Sequence, residues 1–273
     1  MIYIVLSIIA SVMIGNLLQL YQTKDSSINI IQVFLGNYLV AAIVSFFMID
    51  SFDTNIKLLD LGIGALFGSF FLINFLSYQY NITKNGLSIS ISVMRMSVVI
   101  PILVSIMFFA ESLPFMNYFG ILVVMIAFLF LGKNSYIKSK MWLFILFIST
   151  GLTETGMKII HEVATASHSQ MLFYLFGFAF LFNLMIVIKR GDKFNFKYFT
   201  AGLILGVPNQ LSSLFFLQGL NTVEAAYAYP LVASNVLLLG FLTDKFIWKS
   251  KFNKYQYLTY ALIVVGVILL NMR

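Results

Sequence analysis

Long apolar segments alternate with short polar breaks along the 273 residues of the chain. Ten of these segments are long enough, at about 1.5 Å of helix per residue, to cross the roughly 30 Å hydrocarbon core of a bilayer. They lie at residues 2–21, 29–49, 58–80, 86–109, 113–131, 141–160, 169–188, 198–218, 222–243 and 255–271. The pattern predicts an all-α membrane protein with ten transmembrane helices.

Part of the pattern recurs 138 residues further along the chain. Gly-x-x-x-Gly patterns lie at residues 64–68 in the third segment and at 202–206 in the eighth, and the same offset aligns Asn16 with Glu154. Such a repeat indicates an internal duplication. Because small residues let helices approach closely in lipid, we expect the third and eighth segments to pack on each other through these glycines.

The duplication divides the chain into two halves of five segments, residues 1–132 and 140–273. Five crossings is an odd number, so the second half must enter the membrane from the opposite side. The sequence thus predicts two inverted five-helix repeats. Many secondary transporters have this architecture, with the substrate site near the bilayer midplane between the repeats.

Composition supports a membrane protein. The chain is 60% hydrophobic and 10% charged, with a mean hydropathy of +0.95, whereas soluble domains carry about 25% charged residues. There are no cysteines, so disulfides are excluded. The net charge of +7 resides in short loops, where cations set membrane topology. The first segment lacks the features of a cleaved signal peptide and is expected to remain as a span.

A full charge interrupts the fourth segment at Arg95. Ser88 and Ser92 share its helix face, because residues three and four apart lie above one another on a helix. Pro101 follows and is expected to kink the helix, since proline has no backbone N–H. A polar stripe of this kind faces a bundle interior or a water-filled cavity.

Four residues of this stretch carry a family resemblance. Arg95 and Pro101, then Glu111 at the next polar break, then Gly120 in the fifth segment resemble an EamA-like repeat of the drug/metabolite transporter superfamily. The resemblance implies ten membrane helices in two five-helix repeats of opposite orientation. It also implies a small-molecule substrate, since members of the family move small metabolites or drugs, often outward.

The loop charges and the resemblance imply opposite orientations. If both termini were inside, three basic residues would lie inside and thirteen outside, with Arg95 set aside as intramembrane. The positive-inside rule therefore places both termini outside. The resemblance implies both termini in the cytoplasm, and the sequence leaves the choice open.

Glu154 is the second intramembrane charge and shares a helix face with Thr150 and Lys158 in the sixth segment. A carboxylate in a low-dielectric site can bind and release a proton near neutral pH, as a proton-coupled transporter requires. The alternative is a structural ion pair with Lys158 or with Arg95. Arginine stays protonated, so Arg95 is a candidate to bind a substrate carboxylate, to pair with Glu154, or both.

Side-chain amides in three segments are further candidates to line a polar cavity. They are Asn16 and Gln19 in the first segment, Asn74 in the third, and Asn209 and Gln210 in the eighth. Pro208 frees a backbone carbonyl, so we expect an irregular turn directly before the last two. The alternative for any single amide is an interhelical hydrogen bond without contact to substrate.

The ninth segment adds Tyr227 and Asn235 as candidates, although a tyrosine near a span end also fits the interfacial aromatic belt. Glu111 is expected to cap or position a helix end. His161 and His168 lie in a loop without cysteine nearby, which is a weak metal signal. No metal or cofactor is therefore expected.

Taken as a whole, the sequence indicates a secondary active transporter that exports small metabolites, amino acids or drug-like compounds by alternating access. Protons are the candidate coupling ion, and the cell membrane, plasma or inner, is the expected location. The sequence contains no nucleophile elbow, phosphate-binding loop or zinc-protease motif, so an enzyme is not expected. A passive channel and an intramembrane enzyme acting on lipid stay open as alternatives.

Overall fold

The computed structural model describes residues 1–25, 28–51, 57–85, 87–131, 138–191, 193–249 and 251–270. Within these ranges the chain forms eleven α-helices and no strand. The helices are α1 (Ile2–Lys24), α2 (Ile30–Phe47), α3 (Leu58–Asn85), α4 (Leu87–Met96), α5 (Val99–Phe108), α6 (Phe115–Leu131), α7 (Lys140–Val163), α8 (His168–Arg190), α9 (Phe196–Leu220), α10 (Ala225–Phe246) and α11 (Lys254–Leu270).

Every predicted apolar segment corresponds to a helix, except that the fourth contains two. Seven helices within the described residues are long and apolar enough to cross a membrane. Three shorter apolar stretches accompany them, at Val93–Phe108, Phe115–Phe130 and Lys254–Leu270. The prediction of an all-helical membrane protein is confirmed.

The fourth segment breaks between α4 and α5, at Ser97 and Val98. Pro101 has no N–H to donate to the carbonyl of Ser97, four residues earlier. That carbonyl accepts instead from the N–H of Ile100 at 2.9 Å, which tightens the chain at the break. The predicted kink is therefore confirmed, and Arg95 lies directly before it. The side chains of Ser88 and Ser92, predicted on the same face, lie outside the described part of the structure.

Pro208 does not interrupt its helix, so the predicted irregular turn is wrong. Helix α9 continues from Phe196 to Leu220. The helix packs on its neighbours on both sides of the proline. Gly206 lies against α2 before it, and Ser212 hydrogen-bonds to α1 after it.

The chain forms two compact units, and each takes residues from both halves of the sequence. Unit 1 contains Met1–Leu72 and Ile159–Gly219, and unit 2 contains Ile73–Lys158 and Leu220–Arg273. Helices α3 and α7 each contribute one end to either unit. The division into repeats at residues 1–132 and 140–273 concerns sequence symmetry and stays a prediction.

Within unit 1, α2 and α8 run antiparallel. The Asn183 side chain donates to the carbonyl of Ile31 at 3.0 Å near one end. The rings of Phe46 and Phe173 lie 5.4 Å apart, between centroids, near the other. Helices α1 and α9 also run antiparallel, since the hydroxyl of Tyr21 donates to the carbonyl of Ala201 at 2.9 Å while Tyr3 stacks on Phe215.

The two Gly-x-x-x-Gly faces each pack on a different helix, so the prediction that they pack on each other is wrong. Gly64 and Gly68 of α3 lie against Tyr174 and Leu175 of α8. Gly202 and Gly206 of α9 lie against Val33 and Asn37 of α2. The residue numbers increase together at both crossings, so α3 runs parallel to α8, and α9 runs parallel to α2.

Within unit 2, polar side chains join α7 to α3. The hydroxyl of Thr150 donates to the Asn74 side-chain oxygen at 2.6 Å, and the Asn81 amide donates to the carbonyl of Trp142 at 2.8 Å. The order of these contacts makes α3 and α7 antiparallel. Gly120 of α6 lies against Gly266 and Leu270 of α11, so this pair also packs backbone to backbone.

Candidate functional site

Helix α7 presents the predicted face of Thr150, Glu154 and Lys158 inside unit 2, and each side chain interacts with a different element. Thr150 binds Asn74 of α3. Glu154 interacts with Arg95 of α4. Lys158 binds Glu111 in the segment between α5 and α6, with 2.5 Å between Nζ and Oε1. One helix face thus organises the polar interior of this unit.

Arg95 and Glu154, the charges predicted to lie within the membrane, interact electrostatically in the structure. Arg95 is electrostatically coupled to Glu154 and to Tyr78 of α3. Both charged side chains are enclosed by protein atoms, although each keeps part of its surface accessible. Opposite charges attract more strongly in such a low-dielectric site than in water.

Helices α5 and α10 pack on α7 next to this pair. Gly151, three residues before Glu154, lies directly against the side chain of Ile100 in α5. The Tyr229 hydroxyl of α10 donates to the backbone carbonyl of Glu154 at 2.6 Å. The backbone that carries the Glu154 carboxylate is therefore fixed from two sides, while the carboxylate faces Arg95.

Glu111 holds the start of α10, which confirms the expectation that it caps a helix end. Its carboxylate accepts from the backbone N–H groups of Ala225 and Ala226 at 3.0 and 2.7 Å. A carboxylate at a helix N-terminus satisfies free N–H groups and complements the positive end of the helix dipole. The same carboxylate binds Lys158, so Glu111, rather than Glu154, is the ion-pair partner that the structure gives to this lysine.

The remaining candidates in unit 2 have local partners. Asn74 is 8% exposed and accepts from Thr150. The Asn235 amide donates to the carbonyl of Leu231 in its own helix at 2.8 Å. Tyr227 is half-buried. The roles of Tyr227 and Asn235 toward a substrate stay predictions.

The other four candidates lie in unit 1. Asn16 donates to the carbonyl of Val12 in its own helix at 2.9 Å, and Gln19 is half-buried. Asn209 is buried, and the Gln210 amide contacts the Met48 sulfur at 3.6 Å. A role for these amides toward a substrate also stays a prediction.

Sequence reasoning did not assign Tyr78 and Tyr229 to the site. Tyr78 follows Asn74 by four residues, so the polar face of α3 was visible in the sequence. Tyr229 directly precedes Pro230 and is 2% exposed, and its contact with Glu154 depends on the tertiary fold alone.

Metal ligation has no basis in the described residues. No group of three or more His, Cys, Asp or Glu side chains there has the arrangement of a metal site. The rings of His161 and His168 lie 5.5 Å apart, between centroids, at the facing ends of α7 and α8.

Comparison with known proteins extends these observations. One crystal structure of a protein resembles this chain with a TM-score of 0.74. The two share 13% sequence identity, and the likeness covers 99% of this chain and 98% of that chain. At this identity the likeness shows the fold alone. No curated protein matches the chain. Residues 137–272 match the model of the EamA-like transporter family, which belongs to the drug/metabolite transporter superfamily. The earlier resemblance is confirmed, and the chain, a multi-pass integral membrane protein, belongs to the EamA-like transporter family.

Proposed function

We propose that the protein is a secondary active transporter that exports small molecules by alternating access. In this proposal α4 and α5 together form one span, so the chain crosses the membrane ten times. The two five-helix halves are then inverted repeats, related by a near two-fold axis in the membrane plane.

Helix directions support the ten crossings. Among ten successive spans, the second and eighth point the same way, and so do the third and seventh. Helices α2 and α9 would be the second and eighth spans, and α3 and α8 the third and seventh. Both pairs run parallel within unit 1. If α4 and α5 together crossed the membrane an even number of times, these pairs would run antiparallel instead.

Individual hydrogen bonds support the repeats. Ser11 and Ser212 share a hydrogen bond of 2.6 Å between their hydroxyls in unit 1. Ser149 donates to the Asn74 side chain at 3.5 Å in unit 2. Because Ser11 and Ser149 are 138 residues apart, as are Asn74 and Ser212, the two bonds lie at matching positions of the two halves.

The coupled charges Arg95 and Glu154 carry the functional proposal. Two opposite charges inside a membrane protein, each with accessible surface, provide both a fixed cation and a titratable group. Arg95 binds an anionic group of the substrate, and Glu154 carries the proton. Substrate binding changes the attraction between Arg95 and Glu154, so the protonation of Glu154 depends on whether substrate is bound.

The halves differ at this point in a way that fits the proposal. Asn16 stands where Glu154 stands in the second half, and Ala233 stands where Arg95 stands in the first. The scaffold therefore accepts neutral residues at both places. Only one copy of each pair is charged, which gives a single coupling site rather than two.

Transport by purified protein in proteoliposomes tests the proposal. We expect the wild-type protein to accumulate at least one member of a panel of radiolabelled amino acids and lipophilic drugs when a pH difference is imposed. Glu154→Gln preserves the shape of the side chain and removes its titration. It should abolish proton-driven accumulation and retain counterflow exchange of the same compound.

Glu224→Gln is the matched control, because Glu224 is exposed at the N-cap of α10 and forms no side-chain cap hydrogen bond. It should transport as the wild type does. Accumulation by Glu154→Gln under a pH difference alone would show that the proton travels by another route. If the wild-type protein never accumulates a compound against its electrochemical gradient, the protein is a channel instead.

A further inference from the structure

One end of unit 1 has a strong excess of positive charge. It is the end where α1 and α8 finish and where α2 and α9 begin, and we call it the basic end. Its exposed cations are Lys24, Lys189, Arg190, Lys193 and Lys197. Two acidic residues lie in the same sequence stretches, Asp25 and Asp192, the second outside the described residues.

The opposite end of unit 1 is acidic. There α2 and α7 finish and α3 and α8 begin, and Asp50 and Glu162 are exposed beside the cation Lys57. Asp60 is buried at this end and accepts from the hydroxyl and N–H of Thr165 at 2.6 and 3.0 Å. Charge is therefore distributed unequally between the two ends of the unit.

Hydrogen bonds connect the segments of the basic end. The buried Gln32 side chain of α2 donates to the carbonyl of Lys193 at 2.9 Å and accepts from the N–H of Asn195 at 2.7 Å. Asp25 binds the ammonium of Lys197 at 3.1 Å and accepts from the Tyr198 hydroxyl at 3.2 Å. These contacts connect the end of α1 and the start of α2 to the segment where α9 begins.

Exposed aromatic rings lie between these cations. Phe194 is 56% exposed and Phe196 is 68% exposed, and both contact the ring of Phe199, at 5.4 and 6.4 Å between centroids. Ile188, in the last turn of α8, is 70% exposed. Apolar side chains flanked by lysines are typical of surfaces at the membrane interface, where the rings enter the acyl boundary and the ammonium groups reach the phosphates.

We propose that the basic end is a binding surface for the headgroups of anionic phospholipids. The lysine and arginine side chains contact the lipid phosphates, and Phe194 and Phe196 lie at the boundary between headgroups and acyl chains. The proposal depends on the membrane location of the protein and is independent of its transport activity. Each cation near a charged membrane surface should raise the binding constant by about fivefold.

Native mass spectrometry of the full chain tests this surface directly. The protein is released from micelles that contain either palmitoyl-oleoyl phosphatidylglycerol or the zwitterionic phosphatidylcholine of the same chains, and retained lipid is counted. The wild-type protein should retain phosphatidylglycerol preferentially. Replacing Lys189 and Lys193 together by Gln should weaken that binding by about 25-fold, which is fivefold for each charge. Lys57→Gln, at the acidic end of the same unit, should leave it unchanged.

A second pair of variants tests the aromatic part. The double change Phe194→Ser and Phe196→Ser should weaken retention of both lipids, whereas Leu58→Ser, at an 86% exposed position of the acidic end, should not. Equal retention of phosphatidylglycerol by the lysine variant and by Lys57→Gln would overturn the proposal. Displacement of phosphatidylglycerol by millimolar inorganic phosphate would also overturn it, because it would indicate a site for free anions.

Discussion

Gly206 of α9 lies directly against the backbone carbonyl of Asn37 in α2, where a Cβ atom would overlap the carbonyl oxygen. Gly68 of α3 lies in the same way against Leu175 of α8, with its Cβ position 2.6 Å from the carbonyl oxygen. Gly68 and Gly206 are 138 residues apart, as are Asn37 and Leu175. These two backbone contacts of unit 1 therefore occupy matching positions of the two halves.

Alanine at either glycine should destabilise the protein. The obstacle is backbone in both cases and cannot rotate away, so the helices must move apart, at a cost of about 1–3 kcal/mol. The free energy of unfolding of Gly68→Ala and Gly206→Ala can be measured by denaturant titration in detergent.

Gly62→Ala is the matched control, because a Cβ there meets nothing within 4 Å. It should be neutral or stabilising, by up to about 1 kcal/mol, since alanine favours a helix interior. Equal stability of Gly206→Ala and Gly62→Ala would contradict the close crossing seen here.

The helices could be predicted from the sequence, but the partners of these glycines could not. Helices were predictable because hydropathy and length decide which segments cross a bilayer, and the break before Pro101 follows from its missing N–H. The partner of each glycine face was not predictable. Lipid and helix surfaces are equally apolar, so packing geometry rather than pattern selects the neighbour.

The same distinction holds for the charges. Arg95 and Glu154 were each expected in the interior because a charge inside a membrane avoids lipid, and Lys158 and Arg95 were alternative partners of Glu154. Lys158 lies four residues after Glu154, a spacing that favours an ion pair on one helix. Its actual partner, Glu111, is 47 residues away in sequence. Three donors converge on Glu111, and that convergence depends on the tertiary fold alone.

Loss of either Glu111 or Lys158 alone should strongly destabilise the protein. The two side chains are only 9% and 4% exposed, and removing one member of a buried pair leaves an uncompensated charge that costs about 3–5 kcal/mol. We expect this loss in Glu111→Gln and in Lys158→Met. In a double-mutant cycle, the double variant should lose less unfolding free energy than the two single variants lose together.

The pair of Lys197 and Asp25 is the control, because its lysine is 72% exposed. Exposed pairs contribute about 0–1 kcal/mol, so Lys197→Gln should have little effect on unfolding. Strictly additive losses in the Glu111 and Lys158 cycle would show that the two side chains do not stabilise each other.

Tyr229→Phe removes the hydroxyl and leaves the ring in place. The lost bond, from the hydroxyl to the Glu154 carbonyl, should cost about 1 kcal/mol of unfolding free energy. Tyr257→Phe, at a position 48% exposed, should be neutral. A neutral result for Tyr229→Phe as well would mean that this contact does not hold α10 to α7.

The unequal charge of the two ends of unit 1 predicts the orientation of the chain. The positive-inside rule places the basic end in the cytoplasm. Because the chain has no cysteine, single cysteines can be labelled without background. A membrane-impermeant maleimide should label Lys57→Cys in intact cells and Lys189→Cys only after permeabilisation. The reverse result would support the orientation implied by the family resemblance.

The last prediction separates the two roles open to Arg95. If its guanidinium binds a carboxylate of the substrate, Arg95→Gln should weaken binding of that substrate more than binding of the matching carboxamide analogue. A hydrogen bond to a charged group contributes about 1.5–3 kcal/mol, which corresponds to a roughly 10- to 150-fold difference in affinity. Arg95→Lys should recover part of the difference, since lysine retains the charge and loses the planar fork. Binding would be measured by scintillation proximity on purified protein, with Lys84→Gln at an exposed position of α3 as control. If Arg95→Gln weakens binding of the carboxylate and of its amide analogue equally, Arg95 acts by holding Glu154 in place. The negative group of the substrate then binds elsewhere.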